Sequence, residues 1–165
     1  MRNITEGNFY NPTRGNLTFE GAIGEMENWI EEKPDKKYEI IVGCDSSSKK
    51  EPDFPLVIVI LRKGEGGRFF LKKIKYKNKL FFNLHQRILE EVLLSCELAL
   101  VLREKIKEKI QNLSYQFNYI HADVGEGGAT RDMIKEVTGL IRGNGFEPKI
   151  KPESFAASVV ADRFS

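Results

Sequence analysis

Four acidic residues in this chain stand where carboxylates could act together. Asp45 closes the apolar run Tyr38 to Asp45 (YEIIVGCD), and Asp123 closes Phe117 to Asp123 (FNYIHAD). The C-terminal end of a buried strand is where α/β sheets present their ligands. Either aspartate could instead cap a turn, as Asp45 could with Ser46-Ser47-Ser48 behind it. Glu91 and Asp162 fall on helical patterns. At about 100° per residue, Leu84, Ile88, Glu91, Ser95, Leu98 and Leu102 lie within about 40° of one line, so Glu91 interrupts an apolar stripe. Its neighbour Glu90 projects with Asn83, Gln86 and Glu97 on the polar side. Phe155, Val159 and Asp162 are spaced i, i+4, i+7, which predicts that Asp162 also turns inward.

Burying an unpaired carboxylate costs several kcal/mol, so a chain that aims two of them at its sheet must offer a cation there. Arg87, Arg131 and Arg163 could serve as salt-bridge partners, and for any single acid that reading is sufficient. A cluster of all four asks for more charge than one arginine carries, which favours a metal ion. Oxygen ligands of this kind suit Mg²⁺ or Mn²⁺, and no His/Cys set prefers zinc. Two such ions about 4 Å apart would activate a water and stabilise the leaving oxygen of a phosphodiester, which is nuclease chemistry.

The elements that must carry these acids can be read from pattern. Tyr10 to Gly15 reads as a loop, and Thr18 can cap a helix running to about Glu32, ended by Lys33-Pro34-Asp35. Tyr38 to Asp45, Leu56 to Arg62 and Arg68 to Tyr76 read as three strands, the last two joined through Lys63-Gly64-Glu65-Gly66-Gly67, giving an antiparallel meander. A long helical pattern from about Leu80 to Asn112 follows, with a bend or break allowed where it turns charged after Arg103. Phe117 to Asp123 is a fourth strand, Thr130 to Arg142 a helix closed by Gly143-Asn144-Gly145, Phe146 to Ile150 a fifth strand, and Pro152-Glu153-Ser154 opens a last helix.

Length and composition bound the reading. The 165 residues suffice for one sizeable core, so residues 1–165 are expected to form a single domain, with 1–35 an N-terminal addition and 36–165 the core. Hydrophobic residues at 41% and charged residues at 30% lie in the globular range. The two cysteines, Cys44 and Cys96, have no metal or CxxC spacing and are expected to be reduced core thiols. The start, Met1 to Glu6, lacks a signal-peptide apolar stretch, and no run of about 18 apolar residues occurs, so a cytoplasmic protein with no membrane partner is expected. Net charge is only +2. Basic residues nevertheless crowd the stretch Arg62 to Lys79 around a single acid, Glu65, an excess that could follow a phosphate backbone or simply blunt a sheet edge.

The order of elements and acids resembles the ribonuclease H-like fold, and more specifically the YkuK-type family of bacterial proteins, described as ribonuclease H-like nucleases. The resemblance rests on Asn11 to Phe19 (NPTRGNLTF), Ile41 to Ser46 (IVGCDS), Arg87-Ile88 with Glu91, Ile120 to Gly125 (IHADVG) and Ala156 to Arg163 (AASVVADR). It implies a five-stranded mixed sheet, three strands antiparallel and two parallel, flanked by helices with an extra N-terminal helix. It implies that Asp45 bridges two Mg²⁺ or Mn²⁺ ions, that Glu91 and Asp123 complete their shells, and that Asp162 holds the second site. His121, two residues before Asp123 on the same strand face, could protonate a leaving group or assist product release, although packing is the commoner role of a lone strand histidine. The implied partner is nucleic acid, with RNA, DNA and hybrid all open, because the N-terminal helix is acidic (Glu20, Glu25, Glu27, Glu31, Glu32) and is no hybrid-binding arm. Two other readings remain. Asp45 to Ser48 and Asp123 to Thr130 also resemble the phosphate loops of actin-like and sugar-kinase ATPases, and a domain of this fold could bind nucleic acid without turnover.

Overall fold

A computed structural model describes residues 3–111 and 114–164. The expected helix end at Asn112, the start at Met1 and the chain terminus at Ser165 fall outside these. Seven strands form one mixed sheet, in the order β2-β1-β5-β4-β3-β6-β7. The meander β3 (Tyr38–Cys44), β4 (Phe54–Arg62) and β5 (Gly67–Ile74) is antiparallel, turning through Gly64 and Gly66 at positive φ. β6 (Tyr115–His121) lies parallel to β3, and β7 (Glu147–Lys149) parallel to β6.

Two strands were not expected, which corrects the five-stranded sheet to seven. β1 (Phe9–Asn11) and β2 (Gly15–Leu17) form a hairpin where the sequence reads as a loop. The Asn11 side chain makes it: Oδ1 accepts from the backbone N–H groups of Thr13 and Arg14, and Nδ2 donates to the Phe69 carbonyl of β5. Strands of three residues are too short to display an alternating pattern.

The helices follow their caps. α1 (Phe19–Glu32) begins at Thr18, whose hydroxyl accepts from Gly21 N–H at 3.0 Å. α2 (Leu84–Lys109) begins at Asn83, whose Oδ1 accepts from Gln86 N–H at 2.8 Å, and runs unbroken. α3 (Ile134–Gly143) follows a short 3₁₀ turn at Arg131–Met133. Among the described residues no helix is long and apolar enough to cross a membrane.

Both faces of the sheet are covered. Ile40, Val42 and Cys44 of β3 join the main core with α1 and α2, whereas Ile41, Val57 and Val59 meet Ala156 and Ala161 of the C-terminal segment. Coverage on both sides is why β3 and β4 read as continuous apolar runs. Cys44 and Cys96 are buried free thiols, and burial pushes the Cys96 thiol up to about 11.

The C-terminal segment departs from the expected α-helix. Ala156–Ala161 is wound as a π-helix and Asp162–Phe164 as a 3₁₀ turn. The wider winding changes which residues face the sheet. Ala156, Ala157 and Ala161 are buried, while Val159 is 53% exposed and Asp162 is exposed as well. The expected common face of Phe155, Val159 and Asp162 is therefore split: Phe155 packs against the buried cluster, Val159 turns to solvent, and Asp162 sits at the rim of a cavity. Close approach depends on Gly43: a Cβ there would lie 2.8 Å from Ala157 N and 2.9 Å from the Ala156 carbonyl carbon. Gly43→Ala is expected to cost about 1–3 kcal/mol by overpacking, read as a fall in melting temperature.

Candidate functional site

The C-terminal ends of β3 and β6 lie side by side in parallel register, with Val42 opposite Ile120 and Gly43 opposite His121. Asp45 and Asp123 leave the sheet just beyond that pair. α2 comes from one face and contributes Glu91; the C-terminal segment comes from the other and contributes Asp162. All four line one cavity of about 410 Å³, together with Ser46, Ser47, Ser48, Arg87, Leu84 and Ile88.

Asp45 is 5% exposed and Glu91 3%. Ser46 Oγ donates to Glu91 Oε2 at 2.6 Å, and among the described residues Glu91 Oε1 is buried without a hydrogen-bond partner. Burial, and then the charge of Asp45 with a smaller push from Asp123, hold the Glu91 carboxyl well above the usual range, against the Ser46 hydrogen bond and the more distant pull of Arg87. Burial also pushes Asp45 up to about 8, helped by its hydrogen bond with Asp162 and by the charges of Asp123 and Asp162; the Ser46 backbone N–H opposes the shift. Low dielectric and like charge thus make the two buried acids hold their protons. Phasing distinguished the neighbours correctly in position, since Glu90 lies outside this cavity and accepts from the Tyr76 hydroxyl.

Asp123 is partnered differently. Lys151 Nζ lies 3.2 Å from its Oδ1, and Ser158 Oγ donates to the same oxygen at 2.8 Å. Among the described residues, Lys151 is thus a cation in direct contact with one of the four acids, and the sequence reading did not name it. The β7 register could have found it: His121 pairs with Lys149, so Lys151 falls beside Asp123.

The four acids surround one space without closing on it. Among the described residues, no three His, Cys, Asp or Glu side chains are gathered as a metal-holding group. Each acid has a partner within the chain: Lys151 and Ser158 hold Asp123, Ser46 holds Glu91, and Asp45 and Asp162 share a hydrogen bond. The donor set is nonetheless all oxygen, and the buried Glu91 Oε1 has a coordination position to give.

His121 sits behind the cavity rather than among its lining residues. It is 1% exposed, its Nδ1 accepts from Ala156 N–H at 3.1 Å, and its ring meets Phe155 edge-on at 4.7 Å. Burial, with Lys149 nearby, lowers it to about 4. The imidazole is neutral and anchors the C-terminal segment.

A second cavity, of about 750 Å³, adjoins the first and shares Leu84, Ile88 and Asp123 with it. Its floor is the loop Gly125 to Thr130, closed by Gly125 N–H donating to Thr130 Oγ1 at 3.0 Å, and its far wall is Ile150 to Pro152. Of the basic stretch, Arg62 is buried against the Trp29 ring at 4.2 Å and Lys75 pairs with Asp53.

A family model described as Ribonuclease H-like matches residues 22–165. A curated relative, the uncharacterized protein YkuK of Bacillus subtilis (strain 168), is 28% identical over 166 residues, covering 95% of this chain and 96% of its own. No solved structure matches. With acids on the first core strand, the core helix, the fourth core strand and the C-terminal segment, and a family match over nearly all of the chain, this protein belongs to the Ribonuclease H-like family.

Proposed function

We propose that this protein is a metal-dependent nuclease that hydrolyses phosphodiester bonds of RNA or DNA at the cavity of Asp45, Glu91, Asp123 and Asp162. The observation that carries the reading is Glu91: a carboxylate 3% exposed on an apolar helix stripe, with one oxygen unpartnered, facing a second buried acid. A fold that needed only a core would place a leucine there.

The four carboxylates would hold Mg²⁺ or Mn²⁺, which supplies an activated water and charge stabilisation at the leaving oxygen. The remaining tasks belong to the chain. Ser46 and Ser158 fix the orientations of Glu91 and Asp123. His121 acts as a positioning residue, holding the segment that carries Asp162. The glycine-floored cavity would take the nucleotide beside the scissile phosphate. Lys73 to Lys79 run off the C-terminal end of β5, at the same end of the sheet from which Asp45 emerges, and would follow the strand's phosphates.

The test is a panel of labelled single-stranded RNA, single-stranded DNA and RNA–DNA hybrid, incubated with Mn²⁺, Mg²⁺ or EDTA. Cleavage of at least one substrate is expected, with metal only. Absence of cleavage on every substrate, together with no rise in melting temperature on adding either metal, overturns the proposal; binding without cleavage assigns the domain a scaffold role instead.

A further inference from the structure

Lys151 is tethered at its backbone and unconfined at its ammonium. Its N–H donates to the Val124 carbonyl at 2.8 Å, continuing the β7 pairing two residues beyond Lys149. Its stem then crosses Gly125 so closely that a Cβ on that glycine would lie 2.9 Å from Lys151 Cβ and 3.4 Å from Cδ. The ammonium reaches Asp123 Oδ1 at 3.2 Å, yet the side chain is 48% exposed. Solvent can therefore receive the charge if it leaves.

Resting on the metal-dependent reading above, we propose that Lys151 is a resident countercharge that holds Asp123 in the absence of metal and competes with a divalent cation for it. The pair supplies one positive charge where the carboxylates face one another, which stabilises the metal-free fold. Lys151 itself lines the adjoining glycine-floored cavity rather than the one the four acids line, so it reaches Asp123 from that neighbouring space. Binding a cation then requires exchanging one charge for another at Oδ1. Half-exposure makes that exchange inexpensive, because a partly solvated ion pair contributes little net energy. Ser158, donating to the same oxygen, keeps the carboxylate in place while the lysine departs.

The experiment titrates Mn²⁺ alone into the wild type, Lys151→Met and Lys151→Arg, following heat on mixing and melting temperature, with no nucleic acid present. Lys151→Met keeps the stem and removes the charge. It is expected to melt lower than the wild type without metal, and to bind Mn²⁺ about fivefold more tightly. Lys151→Arg keeps the competing charge and is expected to bind as the wild type does. If the wild type binds Mn²⁺ and Lys151→Met binds it equally or less well, Lys151 is a structural partner only and the inference falls while the metal reading stands. Tighter binding by both variants also overturns it, since charge would then not be the cause. If neither the wild type nor either variant binds Mn²⁺, the inference falls, and the cleavage panel above decides the metal-dependent reading separately.

Discussion

Replacing Glu91 with leucine is expected to raise the melting temperature of the metal-free protein by about 5 °C and to abolish its response to Mn²⁺. The wild-type side chain is an acid on the stripe formed by Ile88, Ser95, Leu98 and Leu102, all buried, and burial is the first cause holding its proton on. Removing a desolvated acid with an unpartnered oxygen, and filling its place with apolar volume, gains about 2 kcal/mol. Ser46 loses an acceptor at 2.6 Å, but it is half-exposed and water can replace it. The same change deletes an oxygen donor, so metal-dependent cleavage should fall by about two to three orders of magnitude. Thermal melts with and without Mn²⁺ and a single-turnover cleavage assay read the two effects separately. A lower melting temperature would mean that Ser46 and Arg87 hold Glu91 as a structural group, and the salt-bridge reading of the acids would gain.

The core of the fold was legible because it rests on long patterns. Both faces of β3 and β4 are covered, so their runs are apolar throughout, and Thr18 caps α1 where the pattern begins. The β1–β2 hairpin was hidden because its determinant is one asparagine side chain reaching a strand 58 positions away. The last helix was misphased for a different reason. An i, i+4, i+7 count assumes 3.6 residues per turn, and the π winding of Ala156–Ala161 breaks that assumption.

The site shows the same division. Glu91 was separable from Glu90 because a 26-residue helix keeps its phase, and the buried side is the one the stripe predicted. Asp45 and Asp123 rest on strand-end position and on the family resemblance, and both line one cavity. Lys151 was invisible to pattern: a lysine after a three-residue strand carries no periodic signal, and only the parallel register of β7 on β6 sets it beside Asp123. His121 meets Ala156 N–H and the Phe155 ring, partners supplied by a segment whose winding the sequence does not disclose.

The stability of the metal-free protein should decline as pH rises from about 4 to about 8, and Asp45→Asn should flatten that decline. Asp45 titrates near 8 in the folded chain, chiefly through burial, against about 4 unfolded. Between those values the native state holds a proton that the unfolded state has lost, so the stabilising contribution is complete below the unfolded value and is lost as pH rises through the folded one. Glu91, raised in the same direction, adds to the slope. Asparagine keeps the shape and carries no charge at any pH, so at pH 8 the variant should exceed the wild type by about 1–2 kcal/mol, after screening by solvent in the cavity, or about 3–6 °C. Metal reverses the ranking. A divalent cation binds the ionised carboxylates, so Mn²⁺ should stabilise the wild type increasingly between pH 6 and 8, as expected of about one to two protons released on binding, and should leave Asp45→Asn nearly unchanged. Melts across pH with EDTA and with Mn²⁺ give all four curves. A wild type whose stability rises with pH in EDTA would show that Asp45 is ionised and paired in the native state, and the cavity would then be a salt-bridge cluster rather than a place prepared for cations.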